Sequence, residues 1–315
     1  MQPELILSPD LSPSWRPRGL CVDADGVLHR GRQLLPGAVE LLEELAARDI
    51  PYRIVTNNSR QRAAESAAHY RHLGLPVPPE AVLTAAEAMA AYVCESSPDA
   101  RPPRVFVLGE PALRDTLRAA GCRTVRARPD FVCVGVDYHL TYQRLERASR
   151  AARECRRLIA ANVDATIPRE RGEIPGVGAI VAAVSIASGV EPVVAGKPAP
   201  TMFALAMRRM GLRPEDVLAI GDRLDSDILG ASRAGLRSAL ILTGSHGLKD
   251  LECAPARPDL VFADVPQLTA WLLGREQDAQ DVRDGRDGED GTVLAAPQGT
   301  HRPPGPAGAR PRRYT

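Results

Sequence analysis

The sequence predicts an α/β protein: a doubly wound parallel sheet of Rossmann-like form with a second α/β domain inserted into it. Short apolar runs alternate with stretches of helical periodicity, several of these runs break at their carboxyl ends into polar loops, and the connections between them are short. Such alternation favours parallel strands joined by helical crossovers. With 315 residues, 44% hydrophobic and 25% charged, the chain has a globular balance and length for about two domains.

Residues 1–17 carry four prolines (Pro3, Pro9, Pro13, Pro17) and are expected to be poorly ordered. Gly19–Val22 is a short buried strand that breaks into Asp23-Ala24-Asp25-Gly26. After Pro36-Gly37, the spacing of Val39, Leu41, Leu42 and Leu45 predicts a helix. Tyr52–Val55 reads as a second strand, ending in Thr56-Asn57-Asn58-Ser59, and a helix from Gln61 to Leu73 is closed by Gly74. In the stretch that follows, Ala85–Glu95, Glu110–Ala120, Thr141–Leu158 and Gly178–Ser188 are predicted helical, Arg104–Leu108 and Phe131–Gly135 extended. Beyond Val193-Val194-Ala195 the first pattern resumes: helix Thr201–Met210, strand Val217–Ile220, helix Asp225–Ala234, strand Ser238–Leu242, then Phe262 and a last helix Val265–Leu273. The expected domains are a discontinuous core, 18–83 and 195–273, an inserted cap, 84–194, and a tail, 274–315. Residues 275–315 hold seven acidic residues and seven arginines among many Gly and Pro, too little apolar surface to offset ordering, so the tail is predicted disordered.

Forty basic residues stand against thirty-nine acidic ones, which leaves no basic excess for nucleic acid or an anionic membrane. The amino terminus does not fit a secretory signal, and the longest uncharged stretch, Ile174–Val190, is interrupted by Pro175, Gly176 and Gly178. Six scattered cysteines form no CxxC pair. A soluble cytoplasmic protein is expected. Only two of the forty basic residues are lysines, Lys197 and Lys249, so a lysine raises the question of why arginine was not used.

Four polar loops follow strands in the way ligand-binding loops do in parallel sheets: Asp23–Val27, Thr56–Ser59, Ala195–Pro198 and Gly221–Asp227. Each alone is an ordinary turn, cap or solvated loop. Together they supply three or more carboxylates, a hydroxyl with nearby amides, and a lysine. Converging carboxylates repel one another, and Mg²⁺ is the usual answer in an oxygen-only site that also receives a phosphate.

In order and spacing the four loops resemble the four motifs of the haloacid dehalogenase (HAD) superfamily, in particular subclass IIA with a type II cap, the group of para-nitrophenyl, phosphoglycolate and pyridoxal phosphatases. Three insertion segments, Gly135–Tyr142, Ala161–Pro168 and Pro175–Ile180, resemble that group's cap, so the likeness spans roughly residues 18–273.

The resemblance implies Asp23 as the nucleophile that forms an aspartyl-phosphate, and Asp25 as the acid that protonates the leaving alkoxide and then takes a proton from water. Their i, i+2 spacing in an extended segment puts both on one face. It implies Mg²⁺ held by Asp23, Asp222 and the backbone carbonyl of Asp25, with Asp227 close by; Asp225 remains open as a contributor. Thr56, Asn57 and Asn58 would receive the phosphoryl group, and Lys197 would neutralise its charge as a compact ammonium. In the cap, His139, Asn162, Asp164 and Thr166 would face the substrate, although pyridoxal phosphatases carry an aromatic and a histidine where Thr166 and Ile167 stand. Phosphomutase relatives usually carry their cap between the first two motifs, a slot nearly empty here.

The function expected is Mg²⁺-dependent hydrolysis of a small phosphorylated metabolite, such as phosphoglycolate, glycerol phosphate, a sugar phosphate or a nucleoside monophosphate, with para-nitrophenyl phosphate as a generic substrate. A homodimer through the cap is implied by the resemblance alone. The alternative is an idle metabolite sensor, which would have no need of both Asp23 and Asp25.

Overall fold

The computed structural model describes residues 6–8, 11, 12, 14–97, 101–169 and 172–274. The chain begins with β1 (Ile6–Leu7) and β2 (Gly19–Val22), the latter wholly buried. A central parallel strand is covered by helices on both faces, which is why Leu20, Cys21 and Val22 are all apolar. A small hairpin, β3 (His29–Arg30) and β4 (Gln33–Leu34), leads into α1 (Ala38–Ala47), which buries Leu41, Leu42 and Leu45 on one face. Next come β5 (Tyr52–Thr56), α2 (Ala63–Leu73) and β6 (Val82–Thr84). Thr84 then caps α3 (Ala85–Glu95): its Oγ1 accepts from Glu87 N at 3.3 Å, while its own N–H donates to Glu87 Oε2 at 3.1 Å.

A second sheet follows, built from β7 (Arg104–Leu108), α4 (Pro111–Ala119), β8 (Arg123–Thr124), β9 (Phe131–Val134), α5 (Tyr142–Cys155), β10 (Leu158–Ala160), the ribbon β11 (Thr166–Arg169) and β12 (Gly172–Pro175), α6 (Val177–Ser188) and β13 (Pro192–Val194). The helix expected to reach Leu158 stops earlier, because Arg156 turns left-handed at φ 57° and Leu158–Ala160 pairs with β9 on one side and β13 on the other. Non-local pairing of this kind leaves no trace in local periodicity. The β11–β12 ribbon was likewise not anticipated.

The chain returns through α7 (Thr201–Met210), β14 (Val217–Gly221), α8 (Leu229–Arg233), β15 (Arg237–Ile241), β16 (Leu260–Phe262) and α9 (Val265–Leu272). Where a helix was expected from Asp225, the chain first makes a wide turn over Leu224–Ile228, with Ile228 N donating to Arg223 O, five residues back.

The first sheet runs β1-β16-β15-β14-β2-β5-β6, parallel except at the β1 edge; the second runs β13-β10-β9-β7-β8 and is parallel throughout. Alternate residues of the first sheet face two cores, with Leu20, Val22, Ile54 and Ile220 packing beneath α1 and α9, and Cys21, Val55 and Ala219 beneath α3 and α7. The second of these cores continues into the other sheet through Val105, Phe131 and Ile159. The amino-terminal segment, expected to be poorly ordered, contributes the edge strand β1, a buried Leu11, and Trp15 at 6.3 Å from Trp271. The tail expected to be disordered lies outside the described residues. Among the described residues no helix is long and apolar enough to cross a membrane.

Candidate active site

Strands β14, β2 and β5 lie side by side and parallel, so their carboxyl ends share one edge of the sheet. Asp222 follows the first, Asp23 the second, and Thr56 ends the third. Asp23 N donates to Ile220 O at 2.8 Å, which carries the pairing one residue past β2. Lys197 arrives from the second sheet: Ala195 N and Gly196 N prolong its ladder onto Ala160 O and Ala161 O, so the lysine enters where the two sheets meet.

There Lys197 Nζ donates to Asp23 Oδ1 and to Val55 O at 3.0 Å, and forms an ion pair with Asp227 Oδ1 at 2.6 Å. Asp23, Asp222, Asp227 and Lys197 are all buried. One oxygen from each of the three carboxylates lies within 4.8 Å of the others. Glycine makes the approach possible: Gly26 has φ +81°, and a Cβ there would stand 2.4 Å from Asp222 Oδ2. Asp222 Oδ2 also accepts from Ser245 N at 2.7 Å, and Asp227 Oδ2 from Arg223 N at 3.1 Å.

Burial pushes the Asp23 carboxyl well above the ordinary range; Lys197 opposes this, while Asp227 and Asp222 add to it. Asp222 is raised by burial and by Asp227. For Lys197, burial works against the charge, but Asp227 and Asp23 outweigh it and hold the ammonium protonated far above neutral pH. Three carboxylates facing one ammonium leave a local excess of negative charge. A buried, oxygen-only donor set of that charge fits a hard divalent cation such as Mg²⁺.

Asn57 ties this cluster to the second sheet. Its Oδ1 accepts from Lys197 N at 2.9 Å, its Nδ2 donates to Lys197 O at 3.1 Å and to Asp164 Oδ2 at 3.3 Å, and its carbonyl accepts from Asn162 Nδ2 at 2.8 Å. Asn162 and Asp164, expected to face the substrate, therefore both meet the segment Thr56–Ser59 through Asn57. Thr56 is buried beside them, its Oγ1 accepting from Asn58 N at 3.2 Å.

Other expected residues fall elsewhere. The Asp25 side chain is 75% exposed and lies 3.5 Å from His29 Nδ1, outside the carboxylate cluster. The Asn58 side chain closes its own turn, donating to Gln61 Oε1 at 3.0 Å and accepting from Arg60 N at 2.8 Å. His139 is exposed on a loop pinned by Asp137, which accepts from His139 N at 3.0 Å and pairs with Arg144 at 2.6 Å; no contact joins the imidazole to the cluster among the described residues. Thr166 is exposed at the start of β11, held by pairing opposite Pro175. Asp225 is taken by Arg223, which donates to both its oxygens at 3.1 and 2.9 Å.

Two neighbours had no assigned role in the sequence. Arg223 raises no signal in a chain so rich in arginine, although its charge acts on Asp164. Buried His29, next to Asp25 and 5.5 Å from the Tyr70 ring, sits in a hairpin that local pattern does not reveal.

Comparison with known proteins shows the family of the chain. Residues 20–123 match the family model of haloacid dehalogenase-like hydrolases, and residues 194–268 match a second, HAD-hydrolase-like model. The chain is 40% identical to D-glycerol 3-phosphate phosphatase of Mycobacterium tuberculosis over 79% of its own length and 70% of that protein. It is 33% identical to acid sugar phosphatase of Staphylococcus aureus over 80% and 96%. Among solved structures, 4-nitrophenylphosphatase from Thermotoga maritima superimposes with a TM-score of 0.76 at 34% identity, covering 81% of this chain and 97% of that one. Glycerol phosphate phosphatase from M. tuberculosis in complex with magnesium gives 0.75 at 39%, covering 82% and 78%. The chain belongs to the haloacid dehalogenase-like hydrolases. Within them it is an enzyme of the phosphoric monoester hydrolase class.

Proposed function

We propose that the protein hydrolyses small phosphorylated metabolites with Mg²⁺ through an aspartyl-phosphate on Asp23. The observation that carries this is the buried lysine bridging Asp23 and Asp227 beside Asp222, at the carboxyl ends of adjacent parallel strands. Asp23, Asp222 and Asp227 would hold the cation, with the Asp25 carbonyl as a further donor. When bound, it would neutralise phosphoryl oxygens and keep Asp23 ionised. A magnesium complex of a relative supports the choice of ion, although a calcium complex of that relative also exists.

In this mechanism an Asp23 carboxylate oxygen attacks phosphorus and the ester P–O bond breaks. Asp25 gives its proton to the departing alkoxide. Asp25 then takes a proton from water as that water attacks the phosphorus of the acyl phosphate, releasing phosphate and restoring Asp23. Lys197 balances the charge that builds on the transferring group, and Thr56 with the Asn57 amide orients it. Residues 84–194 would act as the cap, with Asn162 and Asp164 at the substrate's leaving-group end. The Asp164 carboxylate, held by Asn57, offers acceptors suited to hydroxyl groups, and the names of the relatives support glycerol phosphate and sugar phosphates as the first substrates to try.

The cysteines among the described residues are free thiols, which fits a reducing cytoplasm. Pairing of two copies through residues 84–194 belongs to the same proposal: Ile186 is 84% exposed and Val193 41%, near a groove of about 510 Å³ lined by Val181, Ala182 and Pro192.

The test is phosphate release from a panel containing para-nitrophenyl phosphate, glycerol phosphate, phosphoglycolate, sugar phosphates and nucleoside monophosphates, with Mg²⁺ and with chelator. Turnover is expected with Mg²⁺ only, and Asp23→Asn should lose it by at least about a thousandfold. Turnover that survives chelation or Asp23→Asn would defeat the mechanism. Folded, Mg²⁺-binding protein inert on every ester would point to the sensor.

A further inference from the structure

A cavity of about 830 Å³ opens among residues 106–154 and shares no lining residue with the carboxylate cluster. Seven arginines and a single carboxylate, Glu154, line it. Across the whole chain basic and acidic residues number 40 and 39, so the imbalance is local and does not follow from composition. Arg118, Arg144 and Arg150 have carboxylate partners in Asp115, Asp137 and Glu146. The side chains of Arg114, Arg126, Arg128 and Arg147 have no ion pair or hydrogen-bond partner among the described residues.

The wall is built rather than frayed. Arg104 Nη2 donates to Ala127 O at 3.0 Å, inside the loop that carries Arg126 and Arg128. That loop ends on Asp130, whose carboxylate accepts both Arg101 nitrogens, at 2.8 and 2.9 Å, and Arg104 N at 2.8 Å. Phe106, Leu108, Val125 and Ala151 supply an apolar floor. Guanidinium groups gathered without counter-charge repel one another, and an anion that bridges several of them relieves that repulsion through charge-assisted hydrogen bonds. Seven arginines carried by α4, the loop after β8 and α5 bring more positive charge than one phosphate monoester can balance; a chain of linked phosphates matches it better. The volume falls within the roughly 300–1,000 Å³ of small-molecule sites.

We infer that this cavity is a second, non-catalytic binding site for a small polyphosphorylated anion. It goes beyond the hydrolysis proposed above and stands without it. Two sources share the chemistry, an inorganic oligophosphate and a nucleoside polyphosphate, the latter able to lay its base on Phe106.

Isothermal titration calorimetry on the full chain carrying Asp23→Asn, in chelator, with tripolyphosphate and with ADP as probes, tests it. One site is expected for at least one probe; tighter binding of ADP identifies the nucleotide, tighter binding of tripolyphosphate the inorganic chain. Arg126→Ser/Arg128→Ser should weaken it by at least about tenfold, as should the independent pair Arg114→Ser/Arg147→Ser. Neither pair belongs to the catalytic cluster, so in the otherwise unaltered chain para-nitrophenyl phosphate turnover should stay at its basal rate. Absence of binding by both probes, or binding that survives both arginine pairs and therefore lies at the carboxylate cluster, would overturn the proposal. So would arginine-dependent binding of an RNA oligomer tighter than either probe.

Discussion

Lys197 is one of two lysines in a chain with forty basic residues, and its place explains the choice. Its ammonium must contact Asp23, Asp227 and the Val55 carbonyl in three directions at once, which a tetrahedral donor does and a planar fork does not. Asp25 poses the opposite case, a carboxylate left largely in solvent beside a buried histidine. In the proposed mechanism its task is proton transfer to the leaving group, so its value depends on how much the leaving group needs a proton. Asp25→Asn is therefore expected to lower kcat for glycerol phosphate by roughly a hundred- to ten-thousandfold, and to lower formation of p-nitrophenolate, a stable anion, much less. Initial rates and burst kinetics on the two esters would check this; equal losses on both would remove Asp25 from the acid role.

At the scale of elements, the second sheet depends on the carboxylate of Asp130, which precedes β9 and fixes the start of β7 through Arg104 N. The Arg101 guanidinium holds this carboxyl below the usual range, with help from the Arg104 N–H and against the effect of burial. A folded-state pKa below the unfolded value means stability that is present above the unfolded carboxyl pKa, about 4, and lost as pH falls through the lower, folded value. Asp130→Asn is expected to cost about 1 kcal/mol at neutral pH, since Arg101 is half exposed, and the gap from the parent should close below about pH 4. Urea unfolding from pH 7 down to pH 3 measures it; a gap that is constant with pH would assign the effect to packing instead.

For the molecule as a whole, Asn57 joins the two sheets beside the carboxylate cluster, since it bonds Lys197, Asp164 and Asn162 together. A phosphate received at Thr56 and a leaving group received at Asp164 would thus be held by one connected set of hydrogen bonds. The exposed apolar face around Ile186 and Val193 belongs to this scale too, because an edge strand and a bare isoleucine are stable in water only at some cost in solubility. Ile186→Glu is expected to convert a dimer to a monomer in light scattering at micromolar concentration; a parent that is monomeric at every concentration would dispose of the proposed pairing.

The α/β class, the order of most core strands and helices, and the grouping of Asp23, Thr56, Lys197 and Asp222 were legible in the sequence. Each of these residues directly follows or ends a short apolar run, or follows its two-residue extension at Ala195-Gly196. In a parallel sheet such positions converge without further information. Hidden from it were the features made by contacts between distant segments. Leu158–Ala160 became a strand because β9 and β13 flank it, where the local pattern carried the preceding helix on to Leu158. Asp225 and the Asn58 side chain are occupied by Arg223 and Gln61, and His139 and Thr166 sit on a pinned loop and a ribbon away from the carboxylates. The arginine-lined cavity takes its charges from α4, the loop after β8 and α5, none of which is unusual in a chain where arginine is common. Local pattern records which side chains follow a strand; which side chains meet, and which are already taken, is set by tertiary packing alone.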